Sequence, residues 1–142
     1  MPRALALVPD LLFGSRIQGT LRPAGWELAV VGDERLLREQ LAEQGDGDGQ
    51  VLIVDLTDPD VDGAALVRSL RESGELGSRR TLGFYAHVDV SARERAEQAG
   101  FDLVVPRSRL AREGAELVGR LAAGPEAPDG DEVSGASAEP SA

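Results

Sequence analysis

The sequence predicts an open, doubly wound α/β fold with a five-stranded parallel sheet. Three observations carry this expectation. Five short apolar runs recur between residues 3 and 105, and they alternate with five stretches that read as helices. The runs are continuously apolar, as suits strands covered on both faces. Glycine and proline punctuate the junctions, at Pro23 and Gly25, at residues 45–49 (GDGDG) and at Gly100.

Each element follows in order. Residues 3–8 (RALALV) form the first strand; Pro9 and Asp10 interrupt the run too early for a signal peptide. Asp10 is placed to cap the first helix, in which Phe13, Ile17 and Leu21 repeat every four residues. Pro23, Ala24 and Gly25 end it, and residues 26–31 (WELAVV) form the second strand. A polar helix runs from Asp33 to about Gln44, with Leu36, Leu37 and Leu41 on one face. The glycine-rich 45–49 reads as a flexible loop. Residues 50–54 (QVLIV) are the most apolar, β-branched run and so the central strand. After an acidic loop, Gly63 opens a helix with Leu66, Val67 and Leu70. Arg79 and Arg80 read as a solvated basic pair before the fourth strand, residues 82–86. A charged helix over 91–99 closes at Gly100, residues 103–105 form the fifth strand, and a last helix spans 109–121.

Composition excludes several chemistries. All 15 cationic side chains are arginine, so there is no Schiff-base or phosphate-loop lysine. Without cysteine there is no disulfide or thiolate site, and one histidine, His87, does not make a multi-histidine metal centre. The net charge of −10 disfavours nucleic acid and anionic membrane as partners. No apolar run is long enough for a membrane span, so a cytoplasmic protein is expected. The charge is unevenly placed. Residues 124–142 hold five acids, no base and little apolar surface, and are expected to be a disordered acidic tail. Residues 1–123 form the single domain, with 15 arginines against 20 acids.

In this architecture ligands sit at the carboxyl ends of the strands. The sharpest motif lies there: residues 55–63, DLTDPDVDG. Asp58, Asp60, Asp62 and Gly63 spell the opening of a calcium loop, but the twelfth position is Ser69 and a strand precedes it, so calcium is set aside. An apolar strand ending in Asp55, then Pro59, Asp62 and Gly63, resembles the receiver domain of two-component response regulators, which reads D-x-x-x-P-x-x-D-G. Gly25 before the second strand, Ala86 and His87 after the fourth, and Ala99 and Gly100 before the fifth extend the likeness over residues 3–122. The resemblance implies a CheY-like, flavodoxin-like sheet in the order 2-1-3-4-5.

It also implies site roles. Asp55 stands at the phosphoacceptor position. Asp10 alone remains of the acidic pair that holds Mg²⁺, because its neighbour is Pro9. Thr57 stands where a backbone carbonyl completes the metal shell. Tyr85 replaces the usual Thr or Ser, Arg107 replaces the phosphate-binding Lys, and Ser108 replaces the following Pro. The family's switch aromatic is Val104 here. A metal site built from Asp10, Asp55 and Thr57 would be weak. Each residue has a plainer reading beside this: Asp55 as a solvated strand end, Asp10 as a helix cap, Arg107 as a neutralising partner for Asp55 or Asp10, Tyr85 as a core residue, His87 as a loop residue.

The resemblance thus implies a stand-alone pseudo-receiver, not an enzyme, with phosphorylation absent or attenuated. It would act by docking a protein partner, a histidine kinase or another signalling protein. The face carrying Arg93, Arg95, Arg109 and Arg112 suits an acidic partner patch. The alternative is a working phosphoacceptor in a His–Asp phosphorelay, with Asp55 modified and Mg²⁺ bound. A nucleotide-binding protein or small enzyme is disfavoured, since no glycine-rich phosphate loop follows the first strand.

Overall fold

The computed structural model describes residues 2–86 and 90–124. His87 and the expected acidic tail beyond Gly124 lie outside the described residues. The chain runs β1 (Arg3–Leu7), α1 (Leu11–Leu21), a 3-10 turn (Arg22–Ala24), β2 (Glu27–Val31), α2 (Glu34–Glu43) and β3 (Val51–Asp55). It continues through α3 (Gly63–Ser73), β4 (Arg80–Tyr85), α4 (Val90–Gln98), β5 (Leu103–Pro106) and α5 (Arg107–Ala123). All strands are parallel and their order is β2-β1-β3-β4-β5, as expected.

The strand sequences explain the two layers. Successive side chains point to opposite faces, so a strand covered on both sides must be apolar throughout. Ala4, Ala6, Ile53, Leu82, Phe84 and Val105 face one way, against Phe13, Ile17 and Leu21 of α1 and Leu110, Leu117 and Val118 of α5. Leu5, Leu7, Leu52 and Val54 face the other way, against Leu37 and Leu41 of α2, Leu66, Val67 and Leu70 of α3, and Ala96 of α4. Two separate cores therefore share one sheet. Among the described residues no helix is long and apolar enough to cross a membrane.

Four expectations need correction. Leu36 is not a core residue; at 36% exposure it lies at the edge of the buried face made by Leu37 and Leu41. α5 begins at Arg107, two residues earlier than its apolar stripe suggested, because Pro106 in extended conformation can precede a helix directly. Glu113 then departs from helical geometry, with φ −120° and ψ 16°.

Arg79 and the 45–49 segment pack against each other, and both differ from expectation. Arg79 is not solvated: it is buried, and its guanidinium is roofed by the 45–49 segment. Its Nε donates to Gln50 Oε1 at 3.1 Å and Nη1 to the Leu76 carbonyl at 3.2 Å. The 45–49 segment is accordingly a set of anchored turns. Ser78 N donates to the Asp46 carbonyl at 2.9 Å, and Gln50 N to that of Gly47 at 2.9 Å. Gly47 has φ 74°, and a β-carbon there would lie 2.5 Å from the Arg79 side chain.

Candidate functional site

The strand order reverses beside β1, which sends its connections to opposite sides of the sheet. The crevice at that reversal lies between the carboxyl ends of β1 and β3, where this fold places its ligands. Asp10 follows β1, and Asp55 is the last residue of β3.

Asp10 has extended backbone and caps α1. Its Oδ1 accepts from the amides of Leu12 at 3.0 Å and Phe13 at 3.2 Å. These are amides that no helical carbonyl can satisfy. Its Oδ2 accepts from Arg107 Nη2 at 2.9 Å. The Phe13 amide first, then the Arg107 guanidinium, hold the carboxyl below the ordinary aspartate range. Both of its oxygens are therefore engaged.

Arg107 opens α5 beside β5. Its guanidinium also lies 4.3 Å from the centroid of the Phe13 ring, close enough for a cation–π attraction. Phe13 in turn meets Phe84 at 5.0 Å, tilted by 47°. Phe84 pairs with Asp55 in the β3–β4 register. A column thus runs from the Asp10–Arg107 pair through two aromatic rings to β4, at the position paired with Asp55 of β3. The Phe13 platform escaped the sequence reading, although its position three residues after Asp10 was the available signal.

Asp55 is buried, with 2% exposure, so it is not a solvated strand end. Its Oδ1 accepts from Thr57 N at 2.7 Å and from Thr57 Oγ1 at 2.6 Å. Thr57 therefore acts on Asp55 through its hydroxyl and amide, whereas the resemblance implied only a carbonyl ligand. Downstream, Asp60 N donates to Asp58 Oδ1 at 2.8 Å, and Asp62 caps α3 by accepting from Ala65 N at 3.0 Å. Two of the acids that spelled a calcium loop are thus spent on local turns. Gly63 is required by close approach, since a β-carbon there would fall 2.7 Å from Val54 and 2.9 Å from Leu56.

Tyr85 ends β4 and is 9% exposed. Its hydroxyl interacts with Arg93 of α4, and the pair with Glu97, more than Tyr85, raises the Arg93 pKa. The site residues thus fall into three sets. Asp10 joins Arg107, Asp55 joins Thr57, and Tyr85 turns to α4. Leu11 and Leu12 stand beside the Asp10 cap, 82% and 86% exposed, and make that rim apolar.

No protein-family model matches the chain, and no curated protein matches it by sequence. Solved structures do match. The receiver domain of the TMAO respiratory system response regulator TorR superposes with a TM-score of 0.73 at 21% identity, over 85% of this chain and 96% of that one. The chemotaxis protein CheY4 of Vibrio cholerae gives 0.71 at 18% identity, over 84% and 98%. The Mn²⁺-bound form of response regulator Rcp1 gives 0.62 at 15%, over 82% and 88%. The fold at which these residues meet is that of response-regulator receiver domains.

Proposed function

We propose that this chain is a receiver-like signalling module of the two-component type that works by docking a protein partner, with phosphoryl transfer absent or attenuated. The observation that carries this reading is the Asp10–Arg107 pair.

Transfer of a phosphoryl group to Asp55 needs positive charge on the transferring oxygens, because positioning and electrostatics supply most of the catalysis. Arg107, the cation at the end of β5, is held by Asp10 and Phe13. Mg²⁺ bound through one or two protein carboxylates would need Asp10, whose oxygens serve the helix cap and Arg107. Among the described residues no three acidic, histidine or cysteine groups gather to hold a metal. As placed, these residues do not fit the ion, so a metal is bound weakly or not at all.

The partner is a protein, a histidine kinase or another signalling component. The arginine-bearing face is less available than its sequence suggested. Arg93 pairs with Glu97, and Arg109 and Arg112 pair with Glu113. An acidic partner patch would compete with these internal pairs. The exposed Leu11 and Leu12 offer an apolar anchor instead. A nucleotide-binding role gains no support, since the α1 amides that would take a phosphate are occupied by Asp10.

The second reading, a working phosphoacceptor, draws on Asp55 standing at the end of β3 with a Thr57 hydroxyl beside it. Incubation with acetyl phosphate and Mg²⁺, followed by intact-mass measurement, decides between the two. No adduct, or a trace, is expected. A stoichiometric phosphoryl adduct that disappears in Asp55→Ala would establish the phosphoacceptor and overturn the proposal.

A further inference from the structure

Away from the carboxyl ends of the strands, the amino-terminal edge of β3 and β4 holds a cleft of about 510 Å³. Arg71, Arg79, Arg80 and Ser78 line it, together with Asp48 and Asp102. Two of its three guanidinium groups have no carboxylate within ion-pair distance among the described residues. Arg71 donates to the Gly100 carbonyl at 2.8 Å, and Arg79 only to Gln50 and the Leu76 carbonyl. Arg80 faces Asp102 at 3.9 Å, a long contact. Asp102 is mainly committed elsewhere, since its Oδ2 accepts from the amide and hydroxyl of Thr81.

Arg79 is the informative member. It is 97% buried, and its Nη2 has no hydrogen-bond partner. Burial lowers its pKa, and the more distant Asp46 offsets this only in part. A buried cation with an orphaned donor calls for a compensating anion nearby.

The chain itself delivers one to the rim. Gly124, the residue after α5, lines the same cleft, with Ala122 and Ala123. The 18 residues that follow carry Glu126, Asp129, Asp131, Glu132 and Glu139 and no basic side chain. We propose that this acidic segment, 125–142, docks in cis on the arginine cleft, its carboxylates pairing with Arg71 and Arg80 and compensating the charge of Arg79. Tethering makes this possible with weak contacts, because a short linker holds the carboxylates at an effective concentration on the order of millimolar. Pairing does not require the segment to adopt one conformation. Asp55 does not line this cleft.

The test compares the full chain with a full-length variant carrying Glu126→Gln, Asp129→Asn, Asp131→Asn and Glu132→Gln. These substitutions lie outside the described fold, so the core is not at stake. Nuclear magnetic resonance reads the Nε–Hε groups of Arg71, Arg79 and Arg80 and the amides of Gly77, Ser78 and Arg80. At low salt these resonances are expected to differ between the two chains. Added salt should move the native ones toward the variant, as screening weakens exposed pairs. Inorganic phosphate should bind the variant cleft several-fold more tightly than the native one, because the tethered acids compete. Superimposable spectra at low salt would overturn the proposal. So would equal phosphate affinity in the two chains, which would mark the cleft as a site for a free anion.

Discussion

Asp10 and Arg107 are separated by 97 positions in the chain and by 2.9 Å in space. The contact joins the start of the first helix to the start of the last. A single carboxyl thereby performs two tasks, since its other oxygen caps α1. The pair is half-exposed, with side-chain exposures of 43% and 37%, so its importance lies in occupying Asp10 more than in stability.

Removing the arginine should therefore free the acid. Arg107→Ala is expected to raise Mg²⁺ affinity several-fold, read by calorimetric titration, with little change in melting temperature. Unchanged affinity would mean that Arg107 does not guard Asp10.

The same contacts set a pH dependence. The carboxyl of Asp10 titrates lower in the folded chain than in the unfolded one, because the Phe13 amide and Arg107 favour its charged form. The resulting stabilisation is present above the unfolded value, near pH 4, and is lost as pH falls through the folded value. Melting curves of the native chain and Asp10→Asn should diverge above about pH 4 and converge in more acidic solution. A constant gap across this range would count against the assignment.

Thr57→Val removes the 2.6 Å hydroxyl bond to a buried carboxyl while keeping the side-chain shape. The expected loss is about 1–2 kcal/mol in denaturant unfolding, with the amide bond from residue 57 retained. A neutral result would show that water replaces the hydroxyl at no cost.

The glycine turns allow a paired comparison. Gly45 and Gly47 both have positive φ, 70° and 74°, but a β-carbon at Gly45 meets open space. Gly45→Ala should cost about 1 kcal/mol, the backbone penalty alone. Gly47→Ala must also displace the buried Arg79 side chain, so its cost should be larger, about 2–4 kcal/mol. Equal melting temperatures for the two variants would refute the role given to Arg79 as the floor of this segment.

Much of the fold was legible because burial on both faces leaves a strong mark. Residues 4–7 (ALAL) and 51–54 (VLIV) are apolar at every position, as a strand covered by helices on both faces demands. Errors fell where local sequence and tertiary setting disagree. Arg107 and Ser108 look like loop, yet they form the first turn of α5. Arg79 looks solvated, since nothing adjacent to it says that Gly47 and Gln50 will close over it. At the site, Asp10 was readable as a cap. Its bond to Arg107 was one of two open pairings, and the sheet order alone favours the other, because β3 lies nearer β5 than β1 does. The Phe13 ring beside the guanidinium goes with the Asp10 pairing, and nothing adjacent to Arg107 in the sequence announces that contact.

The two cores differ in when a growing chain can complete them. The buried residues of the face beneath α2, α3 and α4 have all been synthesised by Phe101. The opposite face is covered by α1 and α5, so it waits for the final 17-residue helix. Until α5 emerges, Leu82, Phe84 and Val105 lack the cover of Leu110, Leu117 and Val118. During synthesis this exposed sheet face is the surface most open to aggregation or chaperone capture.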